Sequence, residues 1–251
     1  MIKTPVMQIP RLPETLQTYI RNAKLYDSSC SETARVWFAD KDSGYYIKRA
    51  PSGSLREEAE MIRFFHKLGL GPELLAYLPE EDDWIVTRAL PGNDCLHQLY
   101  LEDPKRLSET LGQLLRQLHE TDAPGCPVPD RNRRYIADTL QRYHSLPHPS
   151  VAEEEAWQVV QRNLDILDSR VLLHGDYCLP NVMLDNWTFS GFLDVGGGGI
   201  GDRHIDLYWG CWSLQFNLKD TRFCSRFLDA YGRQDVDTEK LRILNAFESF
   251  G

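Results

Sequence analysis

The spacing of apolar and polar residues predicts strands around a single helix in the first part of the chain. Residues 35–38 and 45–48 are rich in β-forming residues and are separated by the turn sequence Asp-Ser-Gly, which predicts a hairpin. A capping box that starts at Ser54 opens an amphipathic helix, and Gly69 is the expected stop. A further strand is predicted at 84–87.

Helical spacing dominates after the Pro-Gly turn at 91–92. Asp103 before Pro104 is a helix start signal, and leucines then recur on one face as far as Leu118. The stretch 121–150, rich in Pro, Arg and Asp, is expected to form loops around a short helix. The second part of the chain is therefore predicted to be mainly helical.

Together these patterns predict an α+β fold with two lobes. The N-terminal lobe, residues 1–88, is an antiparallel sheet with one helix. The C-terminal lobe, residues 89–251, is mainly helical.

Composition excludes several classes of protein. The 251 residues are 42% hydrophobic and 26% charged, and no apolar run reaches the roughly 18 residues of a membrane span. The first residues lack the apolar segment of a secretory signal, so the cytoplasm is the expected location. A net charge of −9 argues against nucleic-acid binding and permits a small cationic partner. The six cysteines are expected to be reduced thiols, and the chain a monomer or weak dimer.

A glycine motif late in the chain first suggests a dinucleotide site. Gly196, Gly198 and Gly201 follow an apolar segment and match G-x-G-x-x-G. That motif belongs to a strand–helix–strand crossover, but here strands 181–185 and 188–195 are separated by only two residues. Such a hairpin is antiparallel, so the dinucleotide interpretation fails on context.

A second set of residues explains the same region better. His174, Asp176 and Asn181 match the H-x-D-x-x-x-x-N pattern of a kinase catalytic loop, and Asp194 with Gly196 matches the D-x-G that follows it. The first aspartate can accept a proton from a hydroxyl, whereas the asparagine and the second aspartate supply oxygen ligands for Mg²⁺. The set therefore predicts phosphoryl transfer.

The N-terminal lobe contains the cation that such a site requires. Tyr46 and Lys48 are two residues apart in a strand and share one face. Glu58 lies on the apolar stripe of the predicted helix, where an unpaired charge is costly, so Lys48 is its expected partner.

These motifs resemble the aminoglycoside phosphotransferase family, antibiotic kinases related in fold to protein kinases. The resemblance runs from about residue 30 to the C-terminus, and HGDYCLPN at 174–181 and GFLDVGGGGIGDRHIDL at 191–207 are its most specific parts. It is strongest to the 3′-phosphotransferase branch. It implies ATP and Mg²⁺ as cofactors and an aminoglycoside as acceptor, phosphorylated at its 3′-hydroxyl. It also implies that the N-terminal lobe binds the nucleotide and that the C-terminal lobe carries catalysis and substrate binding.

The resemblance also implies a role for each matching residue. Asp176 would be the catalytic base, and Asn181 and Asp194 would bind Mg²⁺. Lys48, paired with Glu58, would contact the α- and β-phosphates.

Further residues would bind the nucleotide and the substrate. Tyr46 would stack on adenine, Thr87 and Ala89 would offer backbone contacts to the purine, and Ser31 would lie in the loop over the phosphates. Two acceptors of substrate amines are implied near the C-terminus, and they are Glu248 and the terminal carboxylate of Gly251.

Two departures from the family pattern leave the identity of the substrate open, and three alternative functions remain. Gly197 stands where relatives often have Arg, and the helix at 208–212 is aromatic where some relatives have charged contacts. A kinase of another small alcohol therefore remains an alternative. So does a metallohydrolase that uses His174, Asp176, Asp202, His204 and Asp206 as ligands, and so does a pseudokinase that binds ATP without turnover.

Overall fold

The computed structural model describes residues 4–29 and 33–250. Ser31 and Gly251, predicted above to bind nucleotide and substrate, lie outside the described residues. Contacts divide the chain into a unit of residues 1–96 with 180–196 and a unit of residues 97–179 with 197–251. This division differs from the single boundary predicted after residue 88, because the hairpin within 180–196 packs with the N-terminal sheet unit.

The first unit is built on an antiparallel sheet of six strands in the order β1-β2-β3-β4-β6-β5. The strands are β1 (Thr4–Val6), β2 (Lys24–Asp27), β3 (Arg35–Asp40), β4 (Tyr45–Pro51), β5 (Leu74–Pro79) and β6 (Asp82–Arg88). A short helix, α1 (Gln17–Ile20), precedes β2. The predicted hairpin is confirmed as β3–β4, with Trp37 opposite Ile47.

Side chains of β4 alternate between a hydrophobic core and a cleft. Ile47 is buried in the core cluster with Trp37 and Trp84. Tyr46 and Lys48 leave the opposite face of the strand and line a cleft. One face of the sheet therefore packs in the core and stabilises the fold, whereas the other face lines the cleft.

The helix predicted after β4 is present as α2 (Arg56–Lys67) and ends before Gly69, as expected. The capping box predicted at its start is wrong. The hydroxyl of Ser54 donates to the carbonyl of Pro51 at 2.5 Å, so it does not cap the helix. The buried carboxylate of Asp83 instead accepts the N–H of Leu55 at 2.9 Å.

A hairpin formed by β9 (Val182–Asp185) and β10 (Thr188–Phe192) completes the first unit. The two strands are antiparallel and joined by Asn186 and Trp187, which confirms that no crossover helix connects them. The two-residue strand β7 (Asn93–Asp94) pairs with β9.

The second unit is mainly helical, as predicted. Its helices are α3 (Gln98–Leu101), α4 (Pro104–His119), α5 (Arg131–His144), α6 (Val151–Gln161), α7 (His204–Leu218), α8 (Arg222–Gly232) and α9 (Thr238–Phe247). A small ladder joins β8 (Val171–Leu173) to β11 (Gly199–Gly201). Asp103 caps α4 by accepting the N–H of Arg106 at 3.1 Å.

Two details of this unit differ from the sequence analysis. The stretch expected to be mostly loop contains α5, a helix of 14 residues. Cys211 and Cys224 form a disulfide between α7 and α8, because the helices bring their Cα atoms to 4.8 Å, so the expectation of reduced thiols is wrong for this pair. Among residues 4–29 and 33–250, no helix is long and apolar enough to cross a membrane.

Candidate active site

Lys48 lies between two carboxylates in the cleft of the first unit. Its ammonium nitrogen is 2.8 and 2.9 Å from the two carboxylate oxygens of Glu58 and 3.1 Å from Oδ1 of Asp194. The cleft face of β4 supplies Lys48, and the first turn of α2 supplies Glu58. The ion pair predicted from the sequence is present, with Asp194 as a third member.

Burial and charge act in opposite directions on this cluster. Burial tends to lower the pKa of Lys48, but the charges of Asp194 and Glu58 outweigh it and hold that pKa above its ordinary range. Burial raises the pKa of the Glu58 carboxyl against the influence of Lys48. With both carboxylates ionised, the cluster has surplus negative charge, which favours a further cation near Asp194, whose side chain is 58% exposed.

The remainder of the cleft is largely apolar, and the space in it, open solvent included, is about 660 Å³. Tyr46 and Thr87 line it, as the sequence predicted, and burial raises the pKa of Tyr46 to about 12, so its hydroxyl stays protonated. Sequence reasoning missed the other apolar lining residues, although strand alternation was a usable signal for those on β3 and β6. They are Val36, Ile62, Pro72, Ile85, Phe192, Leu193 and Val195.

The structure limits the backbone contact predicted for Ala89 to its carbonyl, because its N–H is already used. Its N–H donates to the carbonyl of Gly44 at 2.9 Å, and the N–H of Arg88 donates to the carbonyl of Glu73 at 3.0 Å. The sheet ladder continues beyond β6 and uses both donors. A backbone N–H for a purine would therefore have to come from a different residue.

The β9–β10 hairpin brings Asn181 and Asp194 to one end. Asn181 directly precedes β9, Asp194 follows β10, and the N–H of Leu193 donates to the carbonyl of Asn181 at 2.9 Å. Asp194 has φ +53°, a left-handed conformation that aspartate tolerates better than most residues. Carboxylate and amide oxygens are the donors that Mg²⁺ takes, so this pair fits such an ion.

In the second unit, a buried carboxylate holds the loop that carries Asp176. Asp206, at the start of α7, accepts the N–H groups of His174 and Gly175, each at 2.7 Å. The carboxylate is completely buried, and these backbone donors satisfy it. Asp206 therefore fixes the backbone directly before Asp176.

His119 extends this support into the core. Its Nε2 is 3.1 Å from Asp206, and its Nδ1 is 2.9 Å from the hydroxyl of Tyr231. Burial lowers the pKa of His119 by more than Asp206 raises it, so we assign a neutral ring that donates from Nε2 and accepts at Nδ1. Sequence reasoning missed this residue, although a histidine at the end of the buried leucine stripe of α4 was a signal.

Two glycine backbones approach each other behind this loop. Gly175 has φ +86°, and a Cβ there would lie 1.9 Å from the carbonyl oxygen of Gly197. The backbone of Gly197 packs on the loop that carries Asp176. The glycines therefore serve close packing at this point.

Asp202 and His204 hold the backbone around the turn that leads into α7. Asp202 accepts the N–H groups of Asp168 and Ser169 at 2.9 and 3.0 Å and contacts Nδ1 of His204 at 2.7 Å. The described part of the chain contains no group of three His, Cys, Asp or Glu residues that could hold a metal ion. With Asp202 and Asp206 already bonded to backbone N–H groups, the metallohydrolase hypothesis loses its ligand set.

Glu248, a predicted substrate contact, already has protein partners. The hydroxyl of Tyr135 donates to one of its carboxylate oxygens, and Arg142 lies 3.4 Å from the other. Burial raises the pKa of Glu248 against these partners, and the charge of Asp176 adds to the increase. Glu248 therefore shares the electrostatic environment of Asp176, whereas its contact with substrate amines stays a prediction.

Comparison with known proteins gives these features a family. The model of the phosphotransferase enzyme family matches residues 27–244. The chain belongs to this family. The predicted resemblance, the kinase-like α+β fold and the enzyme class are thereby confirmed.

Named relatives of this phosphotransferase agree with one another. It is 40% identical to a probable aminoglycoside 3′-phosphotransferase of Lactococcus lactis subsp. lactis, over 98% of this chain and 97% of the relative. It is 28% identical to an aminoglycoside 3′-phosphotransferase of Niallia circulans, over 82% of this chain and 83% of the relative. The crystal structure of an aminoglycoside-3′-phosphotransferase of type VIII superposes with a TM-score of 0.73 at 25% identity, over 89% of this chain and 91% of that one.

Proposed function

We propose that this phosphotransferase transfers the γ-phosphoryl group of ATP to the 3′-hydroxyl of an aminoglycoside and thereby confers resistance. The observation that carries the proposal is Lys48, held by Glu58 and Asp194 at the polar end of an apolar cleft. An apolar slot with a cation at one end is suited to a purine attached to phosphates. The names of the relatives described above support the acceptor.

The cleft would bind ATP through a few residues with separate tasks. Tyr46 would pack on the purine, and Lys48 would bind the α- and β-phosphates. Asn181 and Asp194 would hold Mg²⁺, which when bound offsets the negative charge of the phosphates. The surplus negative charge of the Lys48 cluster supports this placement.

Asp176 would act on the acceptor. The acceptor oxygen forms a bond to the γ-phosphorus, the bond from that phosphorus to the β-phosphate oxygen breaks, and ADP leaves. Asp176 would orient the hydroxyl and accept its proton. Phosphoryl transfer needs little covalent chemistry from the protein and depends on the position of the reacting groups. Asp206 would therefore support catalysis by fixing the backbone that positions Asp176.

Acidic groups would select a cationic substrate. Glu248 lies in the electrostatic environment of Asp176, and its partner Arg142 would have to yield to a substrate amine. Gly251 stays a second predicted contact. The exposed aromatic residues Trp212 and Phe216 favour one second candidate, a kinase of a less cationic alcohol on the same fold.

The test is ADP release from ATP and Mg²⁺ with kanamycin, neomycin, choline or a simple sugar as the acceptor. We expect turnover with kanamycin and neomycin, none without an acceptor, and loss of turnover in Asp176→Asn with ATP binding retained. Asp165→Asn changes an exposed aspartate of the same unit and is the matched control. Turnover with choline or sugar alone would move the function to the second candidate, and full activity of Asp176→Asn would refute the role of Asp176.

A further inference from the structure

Two large aromatic side chains of α7 are exposed without a structural need. Trp212 is 43% exposed and Phe216 is 55% exposed. Their rings stack with centroids 5.0 Å apart and planes 8° apart, and Trp209 meets the first ring edge-on. Leaving such rings in water forfeits the hydrophobic stabilisation that burial would give, so the stacked pair is a surface that folding does not explain.

The pair borders a groove between α7, α8 and α9, here named the aromatic groove. It is lined by Tyr208, Trp212, Gln215, Arg242, Asn245 and the Cys211–Cys224 disulfide. The hydroxyl of Tyr208 donates to Oδ1 of Asn245 at 3.3 Å. An aromatic wall with amide and hydroxyl groups around it matches a saturated ring that has an apolar face and polar edges, which is the chemistry of a sugar.

The charges beside the groove come from the chain itself. Nζ of Lys219 lies 4.3 Å from the ring centroid of Phe216, the geometry of a cation–π contact, so the ring of Phe216 already faces a cation. Arg242, which lines the groove, is paired with Glu239 at 3.2 Å. The exposed ring of Trp212 therefore suits the uncharged part of a sugar ring, whereas an ammonium group at Phe216 would meet Lys219.

The aromatic groove and the predicted substrate contact Glu248 share one helix, because Asn245 lies in the last turn of α9 and Glu248 directly follows that helix. Burial raises the pKa of Tyr208 to about 12, and the charge of Glu248 adds to the increase. Glu248 in turn senses the charge of Asp176. Glu248 is thus the residue that relates the groove to the proposed catalytic base.

We propose that the aromatic groove is a specificity-determining subsite that takes one sugar ring of the acceptor, stacked on Trp212 with its polar edge directed to Tyr208 and Asn245. This inference rests on the proposed function for its substrate. It adds that aromatic stacking helps this chain to select the sugar ring of the acceptor, together with the carboxylates that bind its amines.

The test compares Trp212→Ala and Phe216→Ala with Trp212→Phe and with Leu164→Ala, an exposed apolar control in the same unit. Steady-state kinetics use kanamycin and ATP. We expect KM for kanamycin to rise about tenfold in the two alanine variants, with kcat and KM for ATP unchanged. Trp212→Phe should recover most of the loss, and Leu164→Ala should match the wild type.

Calorimetric titration of kanamycin and of glucosamine without ATP separates this proposal from the function. If the wild type has no kinase activity but binds either ligand, and Trp212→Ala weakens that binding, the function fails and the subsite stands. Unchanged KM and unchanged binding in both alanine variants would overturn the subsite. A change of oligomeric state on size exclusion, with KM unchanged, would also overturn it and make the groove an interface between copies.

Discussion

Lys48 and Asp206 each contact several partners, but they do so in different surroundings. Lys48 faces the carboxylates of Glu58 and Asp194 in a cleft, and its own side chain is 21% exposed. Asp206 is completely buried and binds two backbone N–H groups and a neutral His119. One cluster is a set of charges near solvent, and the other is a single charge surrounded by fixed donors.

This difference teaches which charges serve function and which serve the fold. A partly buried ion pair loses much of its attraction to desolvation, so Lys48 and Glu58 contribute little net stability. A buried carboxylate that accepts backbone N–H groups satisfies donors that would otherwise be orphaned, so Asp206 stabilises the fold. The predictions below test this contrast.

Removal of Asp206 should have the largest effect. Asp206→Ala leaves the N–H groups of His174 and Gly175 buried without an acceptor, and we expect a loss of about 3–5 kcal/mol in the free energy of unfolding, with activity lost as well. Urea denaturation measures it. Asp229, on α8, is exposed and paired with Arg233, so Asp229→Ala should leave the denaturation midpoint unchanged. A midpoint for Asp206→Ala equal to that of the control would contradict the assigned role.

Removal of Lys48 should instead affect activity. Lys48→Ala should lower kcat/KM for ATP by about 10²–10³, the usual effect of deleting one electrostatic contact to a reacting group. Lys67→Ala, an exposed lysine at the end of α2, is the control. The double variant Lys48→Met with Glu58→Leu should keep or raise the unfolding midpoint while staying inactive. A double variant far less stable than the wild type would mean that this ion pair also supports the fold.

The sequence allowed prediction of residues whose chemistry is local. Strand alternation placed Tyr46 and Lys48 on one face, and the helical stripe placed Glu58 near them. Asp206 and His119 are far apart in sequence, and only packing of α4 on α7 brings them together, so their network was not predictable from spacing. The cap of α2 failed for the same reason, since Asp83 comes from a different strand.

Asp83 tests whether the contrast belongs to the two units or to the two roles. It is a buried carboxylate of the first unit that accepts the N–H of Leu55 and a hydrogen bond from Tyr77. Asp83→Ala should cost about 2 kcal/mol of unfolding free energy, because a buried donor loses its acceptor. Thermal or urea unfolding measures it, and Ser54→Ala should be close to neutral. The reverse order would restore the capping box that the structure contradicts.

The disulfide offers an intermediate perturbation of the second unit. Cys211→Ser removes a cross-link that closes a sequence separation of 13 residues, and we expect up to about 3 kcal/mol less stability under oxidising conditions. In the presence of dithiothreitol, the wild type and the variant should converge. The Lys48 cluster is in the other unit, so KM for ATP should not change. A difference that persists under reduction would attribute the effect to packing of the thiols.

The smallest expected effect is a dependence on pH that belongs to His119. Burial lowers the pKa of this imidazole below its ordinary value of 6.5. As the pH falls, the unfolded chain therefore binds a proton at this ring before the folded chain does. Stability from this group is complete above pH 6.5 and falls as the pH drops, by at most about 1.4 kcal/mol per pH unit. His119→Gln keeps an amide donor and acceptor but cannot titrate, so its unfolding free energy should fall less between pH 7.5 and 5.5, measured by urea denaturation. If the two proteins lose stability in parallel, the ring binds its proton as readily in the fold as in the unfolded chain. At pH 5.5 it would then form an ion pair with Asp206, as Lys48 does with Glu58, and the contrast between the two clusters would disappear.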